Sequence, residues 1–310
     1  MRKQRILILG GFGFLGTTLN NVFVDSNHGI FNQSRKTGCD IMNLSQLKTY
    51  ISLTDPDIII FAAANVGSVN YVTEFAADVI NDNTQMYLNL YKAVKDINKK
   101  IIIINPLANC SYPGIIDIQH EDLWWNGKIH ESVESYGMPK KMSFIISECY
   151  KKQYGIKTIN LILGGGYGEN DHLDEKKTHA MNGIIMRMIK AKRSGDKEFI
   201  VWGSGTPIRE WVYMPDVGRI IKQIIDDELY DLPNPINIGQ EKGISITDIV
   251  MMVKEMLDYD VEIIYDTIKQ DGASIKILGS KLFRAYFPDF KFTDIETGII
   301  NTIKYYNKML

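Results

Sequence analysis

Five residues, Arg5 to Leu9 (RILIL), are followed without a break by Gly10 to Gly16 (GGFGFLG). An apolar run this short, closed by glycines, reads as a buried strand that ends in a tight turn. Helical spacing of apolar residues begins at Phe14, so the glycines join a strand to a helix. They satisfy both a G-x-x-G-x-x-G and a G-x-G-x-x-G register, and such glycines let the backbone approach a pyrophosphate whose charge sits on the N-terminus of the next helix. Taken alone, the glycines would equally make a plain strand-to-helix turn. The rest of the chain decides between the two.

Further apolar runs bounded by turn residues lie at Asp57 to Ala62, Ile101 to Ile104 and Lys157 to Leu163. Segments of helical spacing separate them: Phe14 to Asp25, Leu44 to Leu53, Val72 to Ile97 and Glu134 to Gln153. Strand and helix alternate, which predicts an α/β fold, a Rossmann-type doubly wound parallel sheet. The third run ends at Asn105-Pro106 and opens into a polar turn, Ala108 to Tyr112. After Gly164 the pattern loosens into the polar, glycine-rich GGGYGENDHLDEKKTHA and then mixed short elements with turn signals at GSGTP and DLPNP. This predicts a dinucleotide-binding domain over residues 1–165 with a return segment at about 212–240, and a smaller C-terminal substrate-binding lobe from 166–211 and 241–310. No repeat or linker separates them, so they are expected to fold as one unit.

With 45% hydrophobic and 23% charged residues over 310 positions, the composition is that of a globular protein, and a net charge of -2 offers no basic field for a nucleic-acid backbone. Cys39, Cys110 and Cys149 fit neither a disulfide framework nor a zinc spacing, so the reading is a reducing compartment and no metal. The basic and apolar N-terminus is interrupted by glycines too early for a signal peptide, and no apolar run reaches the roughly 18 residues of a membrane span. A cytoplasmic location without membrane association is expected.

Two further features carry chemistry. An NAD site places an acidic residue about 20 residues beyond the glycines to hold the ribose hydroxyls. Here the region reads HGIFNQSRK, so Ser34, Arg35 and Lys36 offer donors to a 2'-phosphate and NADP is the expected cofactor, unless the two cations are solvated loop charges. In SYGMPKK, Tyr136 and Lys140 stand four apart and share one helix face. A phenol ordinarily titrates near 10, and a neighbouring ammonium favours its phenolate, which makes the pair usable in acid–base chemistry.

With these residues in place the chain resembles the extended short-chain dehydrogenases/reductases that act on nucleotide sugars, in the branch that epimerises and reduces GDP-linked 4-keto-6-deoxy sugars. The likeness spans nearly the whole length. It includes AAANVGSV from Ala62, NCSYP from Asn109, YGEND from Tyr167, His179, and VWGSGTPIREWVYMPDVGRII from Val201. The resemblance implies cofactor contacts from Gly10, Gly13, Phe14, Leu15, Gly16, Ser34, Arg35, Asp40, Ala62, Ala63, Ala64, Tyr136 and Lys140. It makes Cys110 and His179 the base and acid of a C3/C5 epimerisation, Tyr136 the proton donor to the C4 oxygen, and Lys140 the group that holds the nicotinamide ribose and tunes Tyr136. Asn109, Arg187, Trp202 and Arg209 would serve the nucleotide sugar. A homodimer through two long helices of each subunit is implied in the same way.

Two positions depart from the family. Ala108 stands where a serine hydrogen-bonds the C4 oxygen, a loss of about 100-fold in rate unless Asn109, Ser111 or a water takes its place. Gly165 replaces a substrate-contacting asparagine, which predicts a wider, less polar pocket and a different sugar. Besides a GDP-sugar epimerase/reductase, the sequence leaves open an enzyme limited to epimerisation or to C4 redox chemistry on another nucleotide sugar, and a non-catalytic dinucleotide sensor.

Overall fold

The computed structural model describes residues 2–269 and 271–310. Strand β1 (Arg5–Leu9), helix α1 (Phe14–Phe23), β2 (Gly29–Gln33), α2 (Leu44–Thr54) and β3 (Ile58–Phe61) build the first half of the sheet. Helices α3 (Val69–Glu74) and α4 (Ala76–Ile97), then β4 (Ile102–Ala108), β5 (Ile118–Gln119), α5 (Glu134–Tyr154) and β6 (Thr158–Leu163) come after them. Next are β7 (Gly165–Tyr167), α6 (Ala180–Ser194), β8 (Glu198–Trp202), β9 (Ile208–Arg209), β10 (Trp211–Tyr213), α7 (Met214–Asp226) and β11 (Ile236–Ile238). The chain closes with β12 (Ile244–Ser245), α8 (Ile246–Met256), β13 (Glu262–Asp266), β14 (Ile275–Leu278), α9 (Lys281–Tyr286) and α10 (Ile295–Met309).

Six parallel strands lie in the order β2-β1-β3-β4-β6-β11. Both faces are covered, so the inner strands read as unbroken apolar runs whose residues alternate between two cores. Ile6, Ile8, Ile58 and Ile60 pack with Phe14, Leu19, Val217, Ile220 and Ile224 of α1 and α7. Leu7, Leu9, Ile59 and Ile103 pack the other way, against Leu47, Tyr87, Leu90 and Ile146 of α2, α4 and α5. Each isoleucine or leucine so buried contributes about 1.5–3 kcal/mol over an exposed one. From β1 the chain steps out to β2 and returns across β1 to β3, so the direction of winding reverses between β1 and β3. Open α/β sheets bind ligands at the carboxyl ends of such strands.

The segment expected as one helix from Val72 to Ile97 is two, broken at Phe75, with Ser68 capping α3 through the Tyr71 N–H at 3.3 Å. The strand expected to stop at Ile104 runs on to Ala108 through Pro106. Pairing explains this. β3 accompanies β4 only from Ile102 to Ile104, whereas β6 pairs it from Ile103 to Ala108. Pro106 therefore sits where one side of the strand has no partner and its missing N–H costs no ladder bond.

A second core lies under α6, α8 and α10, with Met181, Ile185, Phe199, Val201, Trp211, Ile249 and Tyr306 at its centre. Parallel pairs β7/β10 and β8/β13 and the sheet β12-β9-β14-β5 surround it. β11 belongs to the large sheet, and Phe283 and Phe287, in and just after α9, pack into that sheet's core. No helix among the described residues is long and apolar enough to cross a membrane.

Candidate active site

A cleft of about 640 Å³ opens at the carboxyl ends of β1, β3, β4 and β6. Its floor is the glycine turn. Gly10 has φ +87°, and a Cβ there would lie 2.6 Å from the Ala63 nitrogen, so the turn after β1 and the strand end after β3 touch backbone to backbone. At Gly16 a Cβ would lie 2.2 Å from the Gly10 carbonyl oxygen, which is how α1 comes to start directly over the turn. The N-terminus of α1 has Gly13 as its cap, no side-chain acceptor on its free N–H groups, and no acidic residue in its first turn. A helix start left bare in this way fits a pyrophosphate.

Gly10, Gly13, Phe14, Leu15, Ser34, Arg35, Asp40, Ala62, Ala63, Ala64, Asn109, Cys110, Tyr136, Lys140 and His179 all line this cleft. Gly16 does not line it and acts through the turn. Arg35 makes no ion pair with any described residue, and the Ser34 hydroxyl oxygen accepts the Lys36 N–H at 3.2 Å while its hydrogen goes to no described residue. These groups suit a dinucleotide carrying a 2'-phosphate. The Asp40 carboxylate is held by the Met42 N–H at 3.0 Å.

At the far end of the cleft, Tyr136 and Lys140 face inward one turn apart on α5. The Lys140 ammonium donates to the Pro106 carbonyl at 3.0 Å and lies 5.4 Å from the centre of the Tyr136 ring and 5.7 Å from that of Tyr87. Burial pushes the Tyr136 phenol up to about 12, a rise that the neighbouring Lys140 only partly offsets. The pull of Lys140 toward the phenolate is thus outweighed by burial. In this burial the group is a phenol at neutral pH, a proton donor. For Lys140, burial favours loss of its proton, but Tyr136 and Tyr87 outweigh it and hold the ammonium above the ordinary lysine range.

The turn after β4 is pinned to α5, because a Cβ on Gly137 would lie 2.6 Å from the Cys110 carbonyl oxygen. Burial raises the Cys110 thiol, and the ammonium groups of Lys276 and Lys140 oppose that rise. Ser111 is not available to replace the family serine. Its hydroxyl is buried, donating to the Ala108 carbonyl at 2.6 Å and accepting from the Trp124 indole at 2.9 Å.

His179 caps α6 and packs against Phe14, with ring centroids 5.3 Å apart. Its Nδ1 is 3.1 Å from both oxygens of the buried Asp171, whose Oδ2 also accepts the His179 N–H at 2.8 Å and the Asn182 amide at 2.9 Å. Burial lowers His179's affinity for a proton, but the Asp171 carboxylate outweighs it and the net shift is upward. Burial works to raise Asp171, and His179 reverses that into a net lowering.

Arg187, Trp202 and Arg209 stand outside the cleft. Arg187 donates to the Ile200 carbonyl at 2.8 Å with its guanidinium 4.5 Å from the centre of the Trp202 ring. Arg209 donates to the Ile208 carbonyl at 2.8 Å, next to Lys276 in the β9/β14 pairing. The space expected beside Gly165 is not open. A Cβ there would lie 3.2 Å from Trp211, whose indole fills it.

The sequence reading missed Asp171, Lys276, Tyr87 and the Pro106 carbonyl. Lys276 stands between Ile275 and Ile277 in a strand, an alternation that ordinarily marks a solvated side chain, and here the residue is half-buried with its ammonium close enough to Cys110 to ease ionisation of the thiol. Asp171 lay within the matched YGEND segment, but nothing in a spacing of eight residues links it to His179.

A parallel sheet with a glycine-cradled helix start and an inward Tyr–Lys pair defines a dinucleotide-dependent enzyme of the extended short-chain dehydrogenase/reductase type. The chain belongs to the NAD dependent epimerase/dehydratase family, whose model matches residues 6–239. It is 27% identical over 307 residues to a GDP-L-colitose synthase of Yersinia pseudotuberculosis, covering 98% of both chains. It is 24% identical over 307 residues to a GDP-L-fucose synthase of Dictyostelium discoideum, covering 98% of this chain and 95% of that one. The crystal structure of a GDP-L-fucose synthetase from Naegleria fowleri bound to NADP superposes with a TM-score of 0.85 at 24% identity, over 98% of this chain and 92% of that one.

Proposed function

We propose that this protein is an NADP-dependent epimerase/reductase of a GDP-linked 4-keto-6-deoxy sugar, similar to GDP-L-fucose synthase. The observation that carries the reading is the meeting in one cleft of two pairs from distant parts of the chain, Tyr136 with Lys140 and Cys110 with His179. A redox enzyme needs only the first pair. The second is what an epimerase adds.

Hydrogens beside a ketone are acidic because the enolate spreads its charge onto oxygen. Cys110 takes a proton from the sugar carbon once it has lost its own, a loss that Lys276 and Lys140 ease and burial on balance opposes, and His179, whose proton Asp171 favours, returns one. Tyr136, protonated until it acts, gives its proton to the C4 oxygen. NADPH, when bound, supplies the hydride for C4. Arg187, Trp202 and Arg209 are assigned to the nucleotide diphosphate, an indole face and two guanidinium forks being suited to base and phosphate.

Incubation with GDP-4-keto-6-deoxy-mannose in D2O, with and without NADPH, tests this by mass spectrometry. Deuterium uptake with a reduced product is expected; cofactor binding with neither would leave a dinucleotide sensor.

The Asp171–His179 pair gives the activity a pH signature. Because His179's folded value is raised, its share of the pair's stabilisation is complete below its ordinary value and is lost as pH climbs through the raised one. Asp171's value is lowered, so its share is present above the ordinary carboxylate value and lost as pH falls. The pair is therefore worth most between about 3.8 and 6.5, the two ordinary values. Asp171→Asn removes the charge that raises His179, so the alkaline limb of deuterium uptake should move to lower pH. An unmoved limb would mean that another group is the acid.

Dimerisation is assigned to the outer faces of α4 and α5. Met138, Met142, Ile145 and Cys149 recur at helical spacing on α5 and are exposed, as are Ile80 and Leu88 on the adjacent α4. An apolar stripe of this kind marks a protein contact. Met142→Glu should convert a dimer to a monomer in sedimentation, and a wild-type monomer at micromolar concentration would overturn the assignment.

A further inference from the structure

On the footing of the epimerase/reductase reading, we propose that the side-chain amide of Asn109 is the second hydrogen-bond donor to the C4 oxygen, in place of a hydroxyl at position 108. The charge that develops on that oxygen, as enolate during epimerisation and as alkoxide during reduction, calls for fixed donors aimed at it. Tyr136 is one. Ala108 ends β4 inside the cleft with only a methyl group, and a methyl cannot donate.

Several other donors of the cleft are already in use. Ser111 is buried and gives its hydrogen to the Ala108 carbonyl. Along the cleft wall, the Tyr71 hydroxyl donates to Asn65, and the Asn65 amide donates to Asp82 at 3.0 Å. Lys140 is turned to the Pro106 carbonyl. Asn109 lines the cleft, and its side chain makes no hydrogen bond with any described residue. It carries two N–H donors on a planar arm.

Its placement also matches the task. Asn109 opens the short helical turn Asn109–Ser111, whose frame is set by the Tyr112 N–H donating to the Asn109 carbonyl at 3.0 Å. The same turn is locked to α5 by the close approach of Gly137 to the Cys110 carbonyl, and Gly137 directly follows Tyr136. The amide, the thiol and the phenol thus ride on one rigid junction between the end of β4 and the start of α5. The amide gives up no proton. It holds the oxygen's charge while Cys110 takes a proton from carbon and His179 returns one, and again while Tyr136 protonates the oxygen.

Asn109→Ala tests this together with the double variant Ala108→Ser/Asn109→Ala, using GDP-4-keto-6-deoxy-mannose in D2O with NADPH. Both deuterium uptake and NADPH oxidation should fall by about 100-fold in Asn109→Ala, with NADPH affinity unchanged, because both reactions charge the same oxygen. The hydroxyl restored at 108 should recover at least about tenfold of each. Asn109→Ala within a few fold of the wild-type rates, or a fall that the serine does not recover, would overturn the donor role and leave the enzyme reading intact. Wild-type protein that neither exchanges nor reduces this sugar would bring down the enzyme reading, and the donor with it.

Discussion

Replacing Tyr136 by phenylalanine is expected to slow NADPH-dependent reduction by about 10² to 10⁴-fold, the span that a positioned proton donor contributes, or roughly 3–5 kcal/mol of barrier. Deuterium uptake should fall only by the roughly 100-fold that one lost donor to the enolate oxygen costs, since Cys110, His179 and Asp171 are untouched, whereas reduction loses that donor and the proton as well. The two readouts should therefore separate. The phenol rises to about 12 through burial, partly opposed by Lys140, so it holds its proton at neutral pH and has one to give. Phenylalanine keeps the ring beside the ammonium and removes only the hydroxyl, so the melting temperature should change little. Equal loss of exchange and reduction would mean that Tyr136 serves the fold of the cleft instead. An unchanged reduction rate would mean that the proton comes from elsewhere.

Gly16→Ala is expected to lower NADPH affinity by at least about 100-fold, close to 3 kcal/mol, and to destabilise the fold by about 1–3 kcal/mol. The added carbon would lie 2.2 Å from the Gly10 oxygen and 2.6 Å from the Gly11 Cα, which are backbone atoms and cannot swing aside. To admit it, α1 must lift from the turn, and the bare helix N-terminus that would receive the pyrophosphate moves with it. Gly13→Ala is the control for stability, because the nearest atom to its Cβ would be 3.4 Å away. Thermal melting should separate the two variants, and fluorescence titration with NADPH should show the binding loss in Gly16→Ala. If Gly16→Ala binds NADPH as the parent does, the glycine turn is not the phosphate cradle.

The fold was legible where a residue's role is local. β1 has the bounds read from its apolar run, and β6 and α5 lie within one residue of theirs at each end, since periodicity and glycine turns are properties of neighbouring residues. Reading failed where a distant partner decides. Pro106 looked like a strand end because its missing N–H is a local fact, whereas its tolerance depends on β3 stopping short at Phe61. The break at Phe75 carries no proline or glycine to announce it. The space beside Gly165 looked open because a missing side chain is visible in sequence and the Trp211 ring that fills it, 46 positions on, is not.

The same division runs through the site. By itself the sequence determined the parallel sheet, the glycine turn at its switch point and the candidate side chains Cys110, Tyr136, Lys140 and His179, because residue type and short spacing encode those. Only the tertiary structure decided their states: that Tyr136 is a phenol, that Asp171 favours the proton on His179, that Lys276 lies near enough to Cys110 to ease its ionisation, and that Ser111 is spent while Asn109 has no hydrogen-bond partner for its side chain among the described residues. A proton's position depends on burial and on charges brought close by folding, and a donor's availability depends on which acceptors surround it, so neither is written in the order of the residues.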